Sequence, residues 1–418
     1  MTDYLAQLDA TSPDQRWAMA RVWLFDRGHQ LPFFAELRRD RPVLDLPEVT
    51  LVTRLSDCNT VLRRHHTFGV DLYKPKQGDF FMAQDDTAEH WREKSLMKAI
   101  LDIEEIPKMR AWVATTTKAI LDQADGEIEM VRNVTRGVPV RLVEEWFGFR
   151  DGDRDDMIEW SYWNQQDAFW NQPFDQPFLA DPDRIVRERK KSILRMFLYL
   201  ARLVAARSLA VKVKGAGHDD DDPVSRLLRM TFADMYRFDV RDVIANVGGL
   251  LIGAVETTSH CVVNAVEFLM EDPERYEAAR NAALLDDVTE FDGYVFEALR
   301  FRPAFPYFFR TCHRDTELAA DTGHSRTIRE GTTVLALTHA AMFDEAGFPR
   351  PDEFDPTRDL SDSFTFGQGI HSCLGRHIAT VMVPEIARQI LRRPGLAAGD
   401  GPDYRGGRVP QSWRVRCG

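Results

Sequence analysis

From about Glu89 onward, apolar residues recur at three-to-four spacing. The windows 89–101, 106–124, 136–147, 184–207, 224–233 and 240–270 each carry one apolar stripe, the mark of an amphipathic helix. Nearer the start, Leu31-Pro32-Phe33-Phe34-Ala35-Glu36-Leu37 keeps helical spacing. Val43-Leu44 and Val49-Thr50-Leu51-Val52 then switch to β-branched runs around Pro47, which predicts a hairpin. Beyond Pro303 the pattern breaks into short β-like runs, Tyr307-Phe308-Phe309 and Thr333-Val334-Leu335-Ala336, with prolines as far as Pro356. Lys214-Gly215-Ala216-Gly217-His218, then Asp219 to Asp222 and Pro223, reads as a solvated loop that caps a helix start. The pattern predicts a mainly α chain with small β-sheets. Its β-rich portions are about 30–60 and 303–340, and its helical body is about 89–300 and 373–393. With no linker, repeat or low-complexity stretch, residues 1–418 read as a single domain, despite a length prior of roughly 150 residues per domain.

Composition narrows the class. The 44% hydrophobic and 29% charged residues suit a globular chain. A net charge of −12 lacks the basic footprint of a nucleic-acid binder. The longest apolar stretch, Val247 to Val255, is short for a membrane span and stops at Glu256. The start, Met1-Thr2-Asp3-Tyr4, lacks the basic-then-apolar pattern of a secretory leader. Cys58, Cys261, Cys312, Cys373 and Cys417 are scattered and odd in number, which predicts a reducing, cytoplasmic setting rather than a disulfide framework.

One cysteine stands in a distinctive setting: Phe364-Thr365-Phe366-Gly367-Gln368-Gly369-Ile370-His371-Ser372-Cys373-Leu374-Gly375-Arg376-His377. Glycines let a loop backbone approach a flat ligand and aim N–H groups at sulfur. A following helix start favours the thiolate, and hydrogen bonds to sulfur tune a metal that it holds. Other readings stand beside heme ligation. A lone cysteine is usually a small buried hydrophobe. His371 with Cys373 is half a zinc site, without a matching pair. A cysteine nucleophile would find a base in His371 or His377.

The run Phe366-Gly367-x-Gly369-x-His371-x-Cys373-x-Gly375 resembles the signature loop of cytochrome P-450 enzymes, with every usual fixed position filled. The resemblance implies the cytochrome P-450 fold: a single heme sandwiched between a long distal helix and the cysteine-ligand loop and helix. It implies heme b as cofactor and O2 as co-substrate. Cys373 would be the iron ligand, whose thiolate assists O–O cleavage. His371 would bind a heme propionate. Phe366 and Gly367 would pack in the cofactor-binding loop, and Gly369 and Gly375 would let the porphyrin approach.

Further segments carry the same resemblance. Gly248-Gly249-Leu250-Leu251-Ile252-Gly253-Ala254-Val255-Glu256-Thr257-Thr258 lies inside the long 240–270 helical pattern. Each helical glycine costs roughly 1 kcal/mol relative to alanine, so three in six positions need a reason. Close helix packing is one reason, and room for a ligand is the other. The stretch is similar to the family's oxygen-activation motif. That implies an acid–alcohol pair, Glu256 and Thr257, delivering protons, with Gly249, Ile252 and Gly253 facing substrate and Gly253 close to the cofactor. Glu297-x-x-Arg300 reads alone as a surface pair. It resembles the family's buried structural Glu-x-x-Arg element, ended by Pro303. Arg310 stands where the family offers an arginine to a propionate. Ala304 to Phe308 should pass the heme edge, with strand alternation sending Phe305 and Tyr307 to one face. His90 and Lys94 partly match the family's His-x-x-x-Arg propionate pair, although lysine lacks arginine's planar fork. Two positions depart from the pattern: Thr338-His339-Ala340 replaces a common Asn-Arg-Asp, and Glu353 replaces an arginine.

The implied activity is insertion of one oxygen atom from O2 into, or oxidative coupling of, a small organic substrate of secondary metabolism. The room beside Gly248 and Gly249 suggests an aromatic or polycyclic one. Electrons would come from a separate ferredoxin and reductase, met by a basic patch drawn from Arg92, Lys94, Lys98 and Arg376. No nucleic acid and no membrane are expected as partners. A peroxide-driven peroxygenase would lack Glu256 and Thr257. A heme-binding sensor would carry a regulatory domain, and a cysteine hydrolase leaves the other motifs unexplained. The tryptophans 160, 163 and 170 suit either a pocket cap or core.

Overall fold

The computed structural model describes residues 3–78, 80–214, 221–232 and 239–416. The expected loop at Gly215 to Asp219 and Cys417 lie outside these residues. The described chain forms two compact units. The first comprises residues 1–78, 82–87 and 303–373, and the second residues 79–81, 88–302 and 374–418.

The first unit opens with α1 (Tyr4–Ala10), α2 (Pro13–Phe25) and α3 (Gln30–Asp40), followed by β1 (Val43–Asp45), β2 (Thr50–Val52), α4 (Leu55–Arg63), β3 (Phe68–Gly69) and α5 (Lys74–Gln77). The chain then builds α6 (Ala88–Ile100), α7 (Ile106–Leu121), β4 (Glu127–Glu129), α8 (Gly137–Glu145), α9 (Arg154–Trp170), α10 (Pro182–Lys214), α11 (Pro223–Phe232), α12 (Val240–Met270), α13 (Pro273–Leu284) and α14 (Thr289–Phe301) in the second. It returns to the first unit for β5 (Phe308–Cys312), β6 (Thr316–Leu318), β7 (Arg326–Ile328), β8 (Thr333–Ala336) and α15 (Thr338–Ala341). It closes in the second with α16 (Arg376–Leu391) and β9 (Arg414–Arg416).

In the first unit the predicted hairpin forms, with Val43 opposite Val52. It extends into a five-stranded sheet ordered β1-β2-β8-β5-β3. Here β2 runs parallel to β8 and β5 antiparallel to it, with Phe309 opposite Leu335. Val43, Val52, Val61, Phe68, Val334 and Phe348 bury one shared core, each worth about 1.5–3 kcal/mol relative to an exposed side chain. The prediction that Phe305 and Tyr307 share a face fails. The strand begins only at Phe308, because Pro303 and Pro306 lack the N–H a ladder needs. Half-buried Phe305 lies by Phe308, at 6.2 Å between ring centroids, whereas buried Tyr307 packs edge-on to Phe25 at 6.1 Å.

In the second unit α12 is the core helix. Asp239 starts it with a capping box that Asp242 completes. By length and composition α12 could cross a bilayer, contrary to the short span read from Val247 to Val255. Burial makes it a core helix instead, since 67% of its most apolar window is inside the protein. Asp222 caps α11, as the loop reading expected: its Oδ1 accepts from the Ser225 amide at 2.8 Å, and Oδ2 accepts from Arg207 at 3.0 Å. Glu297 and Arg300 are completely buried, bonded at 2.7 and 2.9 Å, so the surface-pair reading gives way to the buried one. Trp160 and Trp170 are core, whereas Trp163 is half-buried under Arg184 at 5.8 Å.

Candidate active site

The first unit carries the cysteine loop. Gly367 and Gly369 adopt φ of 63° and 71°, a left-handed backbone that glycine takes without penalty. Glycine is doubly required at position 369, where a Cβ would collide with the Leu62 carbonyl oxygen at the end of α4. Close packing against the Leu62 backbone is by itself enough to require glycine at position 369. Gly375 has open space where a Cβ would sit. The turn is closed by the Gly367 amide donating to Phe364 and the Cys373 amide donating to the Phe366 carbonyl, both at 2.8 Å. A short 3-10 turn, Gly369–His371, carries half-buried His371. Cys373 ends the loop with an exposed thiol.

Arg310 of β5 is buried in the same unit. Its Nη1 donates to the Phe309 carbonyl at 2.8 Å, and it also bonds Tyr73, whose ring stacks on Phe309. Among the described residues no carboxylate forms an ion pair with Arg310. Burial holds its guanidinium below the ordinary value, opposed by Tyr73 and Asp85. Such a buried cation calls for an anion. Glu353 ion-pairs with Arg350 at the surface, while Arg358 donates to the carbonyls of Pro349, Arg350 and Glu353 and ties that loop together. Thr338, His339 and Ala340 are buried in α15, where Arg38 donates to the Ala340 carbonyl.

The second unit carries His90, Lys94 and the α12 segment. His90 is fully buried, and its Nδ1 lies 2.8 Å from the Phe81 carbonyl. A carbonyl only accepts, so Nδ1 carries the proton, and an anion at Nε2 would require the imidazolium. Lys94 is 3% exposed, so it cannot join a surface basic patch. Arg92 turns to Glu93 at 3.5 Å, leaving Lys98 and Arg376 as the exposed candidates.

Along α12, Gly249, Ile252, Gly253 and Thr257 form a less buried face. The glycines there differ. The room expected beside Gly248 and Gly249 is filled, since a Cβ on Gly249 would strike the Phe80 ring and one on Gly248 would press on Met196 and Leu200 at 3.3 Å, whereas nothing lies within 4 Å of one on Gly253. The Thr257 hydroxyl donates to the Gly253 carbonyl at 2.5 Å. Glu256 turns elsewhere and is only 2% exposed. Arg136 grips it, with Nε 2.8 Å from Oε1 and Nη2 donating to Oε2 at 2.9 Å. Nη2 also donates to the Pro410 carbonyl at 3.1 Å. Burial raises the Glu256 carboxyl above its usual range, and Arg136 pulls it back down. One turn on, burial and the Arg136 charge lower His260 to about 4.

Sequence reasoning missed Arg136 and two side chains of α9. Ser161 Oγ and Gln165 Nε2 both donate to the Ile252 carbonyl, at 3.2 and 2.9 Å. Their i, i+4 spacing was the one available signal, and nothing in it named α12 as the target. The structure thus groups Gly249, Ile252, Gly253 and Thr257 on one helix face and sends Glu256 to Arg136. Within the first unit it gathers Phe366, Gly367, His371 and Cys373 in one loop.

Comparison with known proteins agrees. The Cytochrome P-450 family model matches residues 55–393. Erythromycin C-12 hydroxylase of Saccharopolyspora erythraea is 26% identical over 388 residues, covering 91% of each chain. Vitamin D(3) 25-hydroxylase of Pseudonocardia autotrophica is 26% identical and covers 89% of this chain and 88% of its own. The crystal structure of CalO2 aligns with a TM-score of 0.78 at 22% identity, over 94% of this chain and 96% of that one. The chain belongs to the cytochrome P-450 family. It is a monooxygenase that uses heme b and takes O2 as co-substrate. The donor set fits that group: an exposed thiol on a glycine-shaped loop for the iron, and a buried guanidinium that forms no ion pair with a carboxylate among the described residues, suited to a propionate.

Proposed function

We propose that this enzyme oxidises a bulky, ring-bearing organic molecule of secondary metabolism in the cytoplasm, with electrons from a separate ferredoxin and reductase. Both units are read as one catalytic domain. When bound, the heme supplies reductive activation of O2 and insertion of one oxygen atom into the substrate. Cys373 holds the iron as thiolate. Arg310, His371, His90 and Lys94 neutralise the propionates, and Phe366, Gly367 and Gly375 shape the ligand loop. Gly249, Ile252 and Phe305 bound the substrate, with Gly253 between substrate and cofactor. Thr257 moves a proton at its hydroxyl, and Glu256 supplies it after leaving, or sharing, Arg136.

The observation that carries the substrate class is the open space at Gly253, one turn before Thr257 on the same face of α12. The relatives named for erythromycin and vitamin D(3) hydroxylation support a large substrate. The test is a ligand-induced spectral titration with a macrolide, a sterol and a single-ring aromatic. The large ligands should give saturable shifts that Gly253→Leu abolishes. Shifts from the single-ring compound alone, unchanged in Gly253→Leu, would overturn the assignment.

A further inference from the structure

The ladder of α12 is not purely its own between Ile252 and Glu256. In an α-helix the carbonyl of residue 252 pairs with the amide of residue 256. Here the Ile252 carbonyl also accepts from Ser161 at 3.2 Å and Gln165 at 2.9 Å. The Glu256 amide in turn reaches Ser161 Oγ at 3.4 Å. One hydroxyl therefore bridges both ends of a single ladder position, while Gln165 occupies the carbonyl's remaining capacity. Side chains inserted in this way loosen and bend a helix locally. Ser161 is completely buried and Gln165 nearly so, which leaves neither freely exchanging with water. The ladder position so contacted lies in the turn that carries Glu256 and Thr257. Arg136, which brackets Glu256, also lies 5.4 Å from the ring of Tyr162, the residue after Ser161.

We infer that Ser161 and Gln165 are positioning residues: from α9 they hold the Ile252–Glu256 ladder open and thereby set the direction of the Glu256–Thr257 pair. The inference rests on the acid–alcohol reading of that pair.

The test uses the holoenzyme and Ser161→Ala/Gln165→Leu, which removes both donors and keeps volume at position 165. Amide hydrogen exchange is read at Glu256. Peroxide released per electron donor oxidised is read with a surrogate ferredoxin and reductase. With the intruding groups gone, the Glu256 amide should exchange roughly tenfold more slowly, the worth of one ordinary hydrogen bond. The peroxide share should rise severalfold, and Ser161→Thr with Gln165 intact should restore both readouts. Unchanged exchange at Glu256 overturns the inference. So does slowed exchange with an unchanged peroxide share, provided Thr257→Ala alone raises that share. If Thr257→Ala does not raise it, the acid–alcohol reading has failed, and exchange alone decides whether α9 holds the ladder.

Discussion

The Cys373 loop and the Gly248–Thr258 stretch of α12 both rely on glycine, and they rely on it differently. In the loop, the backbone needs it: Gly367 and Gly369 sit at positive φ, and Gly369 has no room for a Cβ beside Leu62. In α12, φ is ordinary helix and the issue is space, filled by Phe80 at Gly249 and empty at Gly253. The second contrast is in what orients the chemistry. The loop presents Cys373 through backbone hydrogen bonds among its own residues 364–373, from the amides of Gly367, Ser372 and Cys373 to the carbonyls of Phe364, Gly369 and Phe366. The α12 segment depends on Arg136, 120 residues away in the chain, and on Ser161 and Gln165, 91 and 87 residues away. A site closed largely by its own backbone leans less on distant partners, even with Gln368 accepting from Arg63 at 2.9 Å. One built from distant side chains is adjustable, and it fails when a single partner is lost.

The largest expected effect breaks the distant-partner half of that contrast. Arg136→Met strands a buried carboxylate and should destabilise the protein by about 3–5 kcal/mol. Burial already raises the Glu256 carboxyl above its ordinary 4.5, and losing Arg136 raises it further. A raised folded value means that the stability is fully present below 4.5 and is lost as pH rises through the folded value. The variant should therefore be weakest at neutral pH, recover on mild acidification, and be rescued by Glu256→Gln. Urea unfolding at several pH values checks this.

His260 sharpens the same point with the opposite sign. Its folded value of about 4, below the ordinary 6.5, stabilises the protein above 6.5, and that stability is lost as pH falls toward 4. The loss should be about 3 kcal/mol at most. His260→Gln should flatten that part of the stability profile, and a slope equal to wild type would contradict the burial.

In the loop, Gly369→Ala should cost about 1–3 kcal/mol from the positive φ alone, with the Leu62 collision added. Gly375→Ala, at φ −86° and facing open space, should change the thermal midpoint little. The smallest effect separates the two helical glycines. Gly253→Ala should stabilise α12 by up to about 1 kcal/mol through helix propensity. Gly249→Ala should lose that gain by displacing Phe80. Thermal unfolding of the pair reads the difference.

The sequence periodicity located α12 at 240–270, and β-branching located the hairpin, because both signals are local. The cysteine loop was legible for the same reason. Glu297–Arg300 was ambiguous: i, i+3 spacing says that two side chains are neighbours, and burial is decided by what packs over them. Phe305 and Tyr307 were misread because two prolines delay the strand, and alternation has no meaning before a strand begins. Arg136, Ser161 and Gln165 were invisible because their partners lie on another helix. The direction of Glu256 is set by those tertiary contacts, beyond anything that the Glu-Thr-Thr triplet encodes.

The most direct measurement is the absorption spectrum of the purified protein, reduced under carbon monoxide, for wild type and Cys373→Ser. Wild type should show the strongly red-shifted Soret band of a thiolate-ligated heme, and Cys373→Ser should lose it. A heme-free wild type, or a band unchanged in the variant, would contradict Cys373 as the iron ligand.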